Sequence, residues 1–222
     1  MDVKSNQDLE NIRDNLVRLT EARGSGKSTP ESGPPSEPTE EVVRRMKRRR
    51  LANAGVPARF LGVDRMSIDP LVWKRCEPLL DGGPDGVFLC GPVGCGKTHL
   101  AVALLREVVQ GSIRFLSVPE LMLRLRESFR DGARSSEGDI IDACAGCDLL
   151  VLDDLGVEKP SEFAVQSLYL VVDRRYSEMR RTVITSNFTI GEIAERVGDR
   201  IASRIAGMCR VVELQGEDRR VR

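Results

Sequence analysis

The chain has 222 residues, and its 34 Lys and Arg balance 34 Asp and Glu, so bulk charge selects no class of partner. Charged residues make up 31% and aromatics only 4%, which argues against a β-sandwich and for a helix-rich α/β domain with an appendage. No apolar run reaches membrane-spanning length, the acidic N-terminus is unlike a signal peptide, and six scattered cysteines read as free thiols; the expectation is a cytoplasmic protein with no membrane association.

In chain order, Leu9, Ile12, Leu16 and Leu19 place one apolar stripe on a short charged helix over 7–22. Residues 24–39 are rich in Gly, Ser, Pro and Glu and read as a tether. The tether contains Gly24-Ser25-Gly26-Lys27-Ser28, which imitates the end of a phosphate loop. It has Glu21 where the first glycine belongs, no strand before it and proline after it. A basic helix follows over 40–53, with Arg44, Arg45, Lys47, Arg48, Arg49 and Arg50 crowded together. Such a cluster can neutralise nucleic-acid phosphates; it can equally be a solvated helix face. A tethered amphipathic helix can bind a partner or simply fray, and the sequence leaves both open.

From about residue 57 short apolar strands (86–90, 113–118, 148–153, 182–186 and 210–214) alternate with helices (97–109, 119–130, 138–145, 161–179 and 189–207). That alternation implies a mostly parallel five-stranded sheet covered on both faces. Between the first strand and its helix stands Gly91-Pro92-Val93-Gly94-Cys95-Gly96-Lys97-Thr98, which fits G-x-x-x-x-G-K-[ST] at every required position. Backbone N–H groups of such a loop point at phosphate oxygens, and the helix N-terminus adds partial positive charge. Lys97 would reach the β- and γ-phosphates, and Thr98 would ligate Mg²⁺; His99, the only histidine, opens the helix beside them.

The strand 148–153 ends in Asp153 and Asp154. Carboxylates at the end of a buried strand are costly without a cation, so Asp153 is the candidate Mg²⁺ acid and Asp154 the group that orients or deprotonates an attacking water. The strand 182–186 leads into Asn187, which faces the γ-phosphate if this strand lies between the other two. Thr189 and Glu192 have capping-box spacing for the next helix. Near that helix's end Arg200 and Arg204 share a face, either as a surface pair or as an arginine finger for a neighbouring subunit. Cys144 and Cys147 have metal-like spacing but no second pair, and read as thiols at a helix end.

The order of GPVGCGKT, LLVLDDLG (149–156), TVITSN, RIASRI and VVELQGEDRR resembles the AAA+ ATPases of the DnaC/IstB type, which are replicative helicase loaders and transposition helpers. The run from Arg49 to Phe60, with Gly55-Val56-Pro57-Ala58-Arg59, looks like that family's lead-in, and the resemblance covers roughly residues 45–220. It implies a three-layer P-loop NTPase over 56–222, without a C-terminal lid domain, and an N-terminal extension over 1–55 that acts as a partner or DNA arm. It implies a nucleotide site made by Gly91, Pro92, Val93, Gly94, Cys95, Gly96, Lys97, Thr98 and His99. It also implies Mg²⁺ on Thr98 and Asp153, Asp154 as the second acid, Asn187 as sensor 1 and Arg204 as the finger, while Arg219 and Arg220 compete for a role after the last strand. Asp154 stands where many AAA+ proteins carry Glu, which suits slow, switch-like ATP hydrolysis.

The function this resemblance implies is a helicase loader that binds ATP and Mg²⁺, forms a homo-oligomer with an inter-subunit ATP site, holds single-stranded DNA and grips a replicative DNA helicase through its N-terminal arm. The alternatives are an IstB-type helper of transposition and a regulatory module with negligible turnover. Phe129 and Phe188 are candidates for base stacking, and Cys95, inside the loop, is expected to block ATP binding when alkylated.

Overall fold

Five short apolar runs become the strands of one parallel sheet in this computed structural model, which describes residues 39–81, 86–130, 132–157 and 161–216. The expected helix at 7–22, most of the tether and Arg219 and Arg220 lie outside those residues. The chain divides into two compact units, Met1–Arg50 and Leu51–Arg222. In the first, Arg44, Arg45, Arg48 and Arg49 are exposed on helix α1 (Glu40–Asn53). The second begins earlier than residue 56, because Leu51, Ala54 and Val56 are buried in its core.

After a short helix α2 (Pro70–Cys76), the second unit runs β1 (Gly86–Cys90), α3 (Lys97–Glu107), β2 (Ile113–Ser117), α4 (Val118–Glu127), α5 (Glu137–Ala145), β3 (Leu149–Leu155), α6 (Glu162–Ser177), β4 (Arg181–Ser186), α7 (Ile190–Val197), α8 (Asp199–Met208) and β5 (Cys209–Glu213). The strands lie in the order β2-β3-β4-β1-β5, all parallel. β4 therefore enters between β1 and β3, with Phe88 opposite Ile184 and Leu152 opposite the same residue on its other side.

Alternation along the strands divides the core. Val87, Leu89, Leu149, Val151 and Val183 pack with α3, Trp73 and Leu79. Phe88, Leu150, Leu152 and Ile184 pack with Leu121, Leu168, Val172, Ile193 and Ile205 from the other helices. The chain is thus the expected three-layer α/β fold. No helix among the described residues is long and apolar enough to cross a membrane.

One expected helix divides. The apolar spacing over 189–207 continues across Gly198, but Gly198 sits at φ 98°, ψ 150° and ends α7 before α8 begins. The Thr189–Glu192 capping box forms at the start of α7. Cys144 and Cys147 are buried free thiols, both pushed above the ordinary thiol range by burial, and no metal-binding cluster of His, Cys, Asp or Glu occurs among the described residues.

The end of the sheet away from the loop is pinned by Arg175 of α6, which is fully buried. Its Nη1 lies 2.9 Å from the carbonyls of Cys144, Ala145 and Cys147, and its Nε donates to Thr182 Oγ1 at 2.9 Å. These donors join α5, the turn before β3 and β4. Arg175→Ala strands several buried acceptors and opens a cavity. It is expected to lower the unfolding free energy by at least about 3 kcal/mol, measured by urea denaturation.

Candidate functional site

Strand β1 delivers the chain at Cys90 into the glycine-rich loop. Gly91 must be glycine: at φ 140° a Cβ would stand 2.2 Å from Leu214 O, where the segment after β5 bonds Cys90 O through Leu214 N. Gly94 and Gly96 also take positive φ, at 78° and 103°, and Gly96 starts α3 from a left-handed conformation. Lys97, buried in the first turn, folds back along the loop and donates from Nζ to Gly91 O at 2.8 Å and Pro92 O at 2.7 Å.

Behind the loop, Thr98 Oγ1 donates to the Asp153 carboxylate at 3.0 Å. On the opposite side Thr185 Oγ1 of β4 donates to Asp153 Oδ1 at 2.7 Å and accepts from the Asp154 backbone N–H at 3.0 Å. Asp153 is only 6% exposed. Burial raises its pKa to about 6, the neighbouring Asp154 adds to the rise, and the Thr185 and Thr98 hydroxyls and Lys97 oppose it.

Asp154 adopts φ 61°, a left-handed conformation rare outside glycine, at an irregularity in the β3–β4 register between Leu152 and Leu155. This turn brings Asp154 to a cavity of about 560 Å³. Val93, Gly94, Gly96, Lys97, Thr98, His99 and Asn187 line the same cavity. Asn187 reaches it because β4 lies between β1 and β3, the condition on which its assignment depended. Ser186 Oγ donates to Leu155 O at 2.7 Å and accepts from Phe188 N at 3.0 Å, which fixes the loop carrying Asn187 against the end of β3.

Other predicted residues fall elsewhere. Gly91 and Pro92 contribute carbonyls to Lys97. Cys95 is 5% exposed and packs into the core beside α3. Arg204 is not brought to this cavity; it points at α6, where Nε donates to Asp173 Oδ1, Nη2 donates to Tyr169 Oη at 2.7 Å and the guanidinium lies 4.6 Å from the Tyr169 ring centre. Arg200 is exposed. Phe129 is 63% exposed beside Phe163, whereas Arg196 covers the Phe188 ring.

The sequence reading missed Thr185 as the bridge between the two acids; a hydroxyl directly after the apolar pair Val183-Ile184 was its signal. It also missed Ser67, which lines the cavity with Arg59 and Phe60 and meets His99 Nε2 at 2.7 Å. Ser67 Oγ also donates to Asp64 O.

A family model described as IstB-like ATP binding protein matches residues 83–222, more than half of the chain. The replicative helicase loader DnaC of Escherichia coli (strain K12) is 31% identical over 127 residues, 56% of this chain and 51% of that protein. The insertion sequence IS5376 putative ATP-binding protein of Geobacillus stearothermophilus is 28% identical over 145 residues, 62% of this chain and 56% of that protein. The chain spans about half the length of the curated relatives it matches. The crystal structure of the DnaC helicase loader superposes with a TM-score of 0.63 at 23% identity, covering 72% of this chain and 100% of that one, a likeness of fold.

Asp153 gives a pH signature. Its folded pKa, about 6, lies above the ordinary 3.8, so the native state holds this proton more tightly than the unfolded chain. Its contribution to stability is favourable below pH 4 and is lost as pH rises to about 6. Asp153→Asn removes the titration. Between pH 4 and 7 the variant should gain about 2 kcal/mol in unfolding free energy relative to wild type, read by denaturation across that range.

Proposed function

Because the chain belongs to the IstB-like ATP-binding protein family, we propose that it is a DnaC-like helicase loader whose ATP site is completed by a second copy of itself. The observation that carries the ATP site is the insertion of β4 between β1 and β3, which sets Lys97, Thr98, Asp154 and Asn187 around one cavity.

In this reading the loop N–H groups and the α3 N-terminus take the phosphates. Lys97 exchanges the Gly91 and Pro92 carbonyls for β- and γ-phosphate oxygens. The Thr98 hydroxyl and the Asp153 carboxylate, 3.0 Å apart, are hard oxygen donors of the kind Mg²⁺ takes, and the ion would neutralise phosphate charge there. Asp154 Oδ accepts the proton of the attacking water while Asn187 hydrogen-bonds and orients it. A shorter acid than Glu leaves that base farther from its target, so hydrolysis is slow and acts as a switch.

Arg204 serves the neighbouring copy's nucleotide and must leave Asp173 and Tyr169 to do so. Residues 1–55 form the arm that grips a replicative helicase, and the exposed arginines of α1 add affinity for DNA phosphates. Exposed Phe129, flanked by Arg126 and Arg130, supports single-stranded DNA stacking on this side of the domain. The likeness to the IS5376 ATP-binding protein favours one second reading, a transposition helper acting on duplex DNA.

Two variants test the shared site. Lys97→Ala should abolish ATP binding in calorimetry. Arg204→Ala should bind ATP normally but lose ATP-dependent assembly in light scattering, with turnover down at least about tenfold; an unchanged oligomer with full activity removes the finger assignment. Loader and helper separate in a pull-down: a replicative helicase should be retained by the full chain with ATP and not by a chain lacking residues 1–50. Retention of neither helicase nor single-stranded DNA, with ATP-dependent filaments on duplex DNA, would establish the helper instead.

A further inference from the structure

Arg196 stands in the last turn of α7, outside every motif named above. Its Nη1 donates to Gly156 O at 3.2 Å, just past the end of β3, and its guanidinium carbon lies 3.6 Å from the centre of the Phe188 ring, one residue after Asn187. One planar cation therefore holds the backbone after the Asp153–Asp154 pair with one edge and the residue after Asn187 with its face.

The surroundings make that contact specific. Gly156 is at φ 84°, and a Cβ there would stand 2.8 Å from Ile193 Cδ1, 3.3 Å from Phe188 Cδ2 and 3.5 Å from Arg196 Cδ. Two side chains of α7, Ile193 and Arg196, and Phe188 just before it thus close over Gly156, in the turn that follows Asp154. Ser186 and Thr185 link the same two strand ends: the Ser186 hydroxyl spans Leu155 O and Phe188 N, and Thr185 Oγ1 accepts from Asp154 N. Ser186 fixes the backbones where β3 and β4 end. Beyond them, Arg196 joins Gly156 to Phe188.

We infer that Arg196 is a positioning residue for γ-phosphate recognition: by clamping Phe188 to Gly156 it holds Asn187 and Asp154 at the spacing that distinguishes ATP from ADP. This rests on the reading of Asn187 and Asp154 as the γ-phosphate side of the cavity. The clamp touches neither Lys97 nor the loop glycines, whose N–H groups take the phosphates common to both nucleotides. Its removal therefore acts on ATP and spares ADP.

The test uses the full chain with Mg²⁺ and measures ATP and ADP affinities by competition against a fluorescent nucleotide, for wild type, Asn187→Ala, Arg196→Met, Phe188→Leu and the Phe188→Leu/Arg196→Met pair. Arg196→Met should reduce the preference for ATP over ADP by about tenfold, as far as Asn187→Ala does, with ADP affinity within about twofold of wild type and an unchanged melting temperature. Phe188→Leu should move the preference in the same direction, and the double variant should lose no more than Arg196→Met alone. A wild-type preference retained in Arg196→Met, or an ADP affinity that falls in parallel with ATP, overturns the clamp while leaving the reading of Asn187 in place. A preference that survives Asn187→Ala, or is absent from wild type, overturns that reading and the clamp with it.

Discussion

A single buried carboxylate organises this domain. Asp153 accepts from Thr98 at the start of α3 and from Thr185 on β4, and Thr185 in turn accepts from the backbone of Asp154. Four elements meet at that group: the loop helix, β3, β4 and the turn into the cavity. A carboxyl with two hydroxyl donors and no formal cation bonded to it is costly in its charged form, which is why its pKa rises to about 6 despite those hydrogen bonds. In the proposed reading the same oxygens would help to hold Mg²⁺, and binding of that ion would then be linked to stability through this one residue.

The loop and the acids were legible in the sequence because each has a chemical signature that packing does not alter. Gly91 to Thr98 and the Asp153-Asp154 pair follow apolar runs that could only be buried strands. Asn187 was legible only conditionally: a Ser-Asn after a strand is a common turn, and its meaning depended on β4 pairing with both β1 and β3, an order that local pattern does not encode. The break in the last helix pair was written at Gly198, but the apolar spacing on its two sides stays in phase and disguised it. Arg175 had no signature in the sequence, since nothing local reveals that α5 and β4 would surround it with acceptors. For Cys95 the place in the motif is obvious in the sequence, while the direction of its side chain is set by the core beneath α3.

Arg204 presents a different kind of case. Its partner Asp173 lies on α6, and the contact joins two helices on the same face of the sheet. With 27% of the Arg204 side chain and 32% of the Asp173 side chain exposed, the pair is partly solvated, so its strength falls with salt and its loss is affordable. A fully buried pair such as the Arg175 cluster could not exchange partners in this way. Partial exposure is the condition under which a cation can serve its own chain in one state and a neighbouring copy in another.

The helix pair α7–α8 relates these two sets of contacts. α7 is fastened to the nucleotide side through Ile193 and Arg196 on Gly156 and through Phe188; α8 is fastened to α6 through Arg204. Between them stands Gly198, whose amide still caps α7 by donating to Ala194 O, while its carbonyl begins α8 by accepting from Ala202 N. Helix α8 is also held by Ile201, Ile205 and Met208, which are buried in the same core as Ile193 and Val197 of α7. Rigid displacement of α8 at Gly198 would expose that packing, whereas the partly exposed Arg204 side chain can change partner without disturbing it. In the proposed reading the nucleotide side of the helix pair is therefore the fixed one, and the side chain of Arg204 supplies the adjustment that a shared site needs.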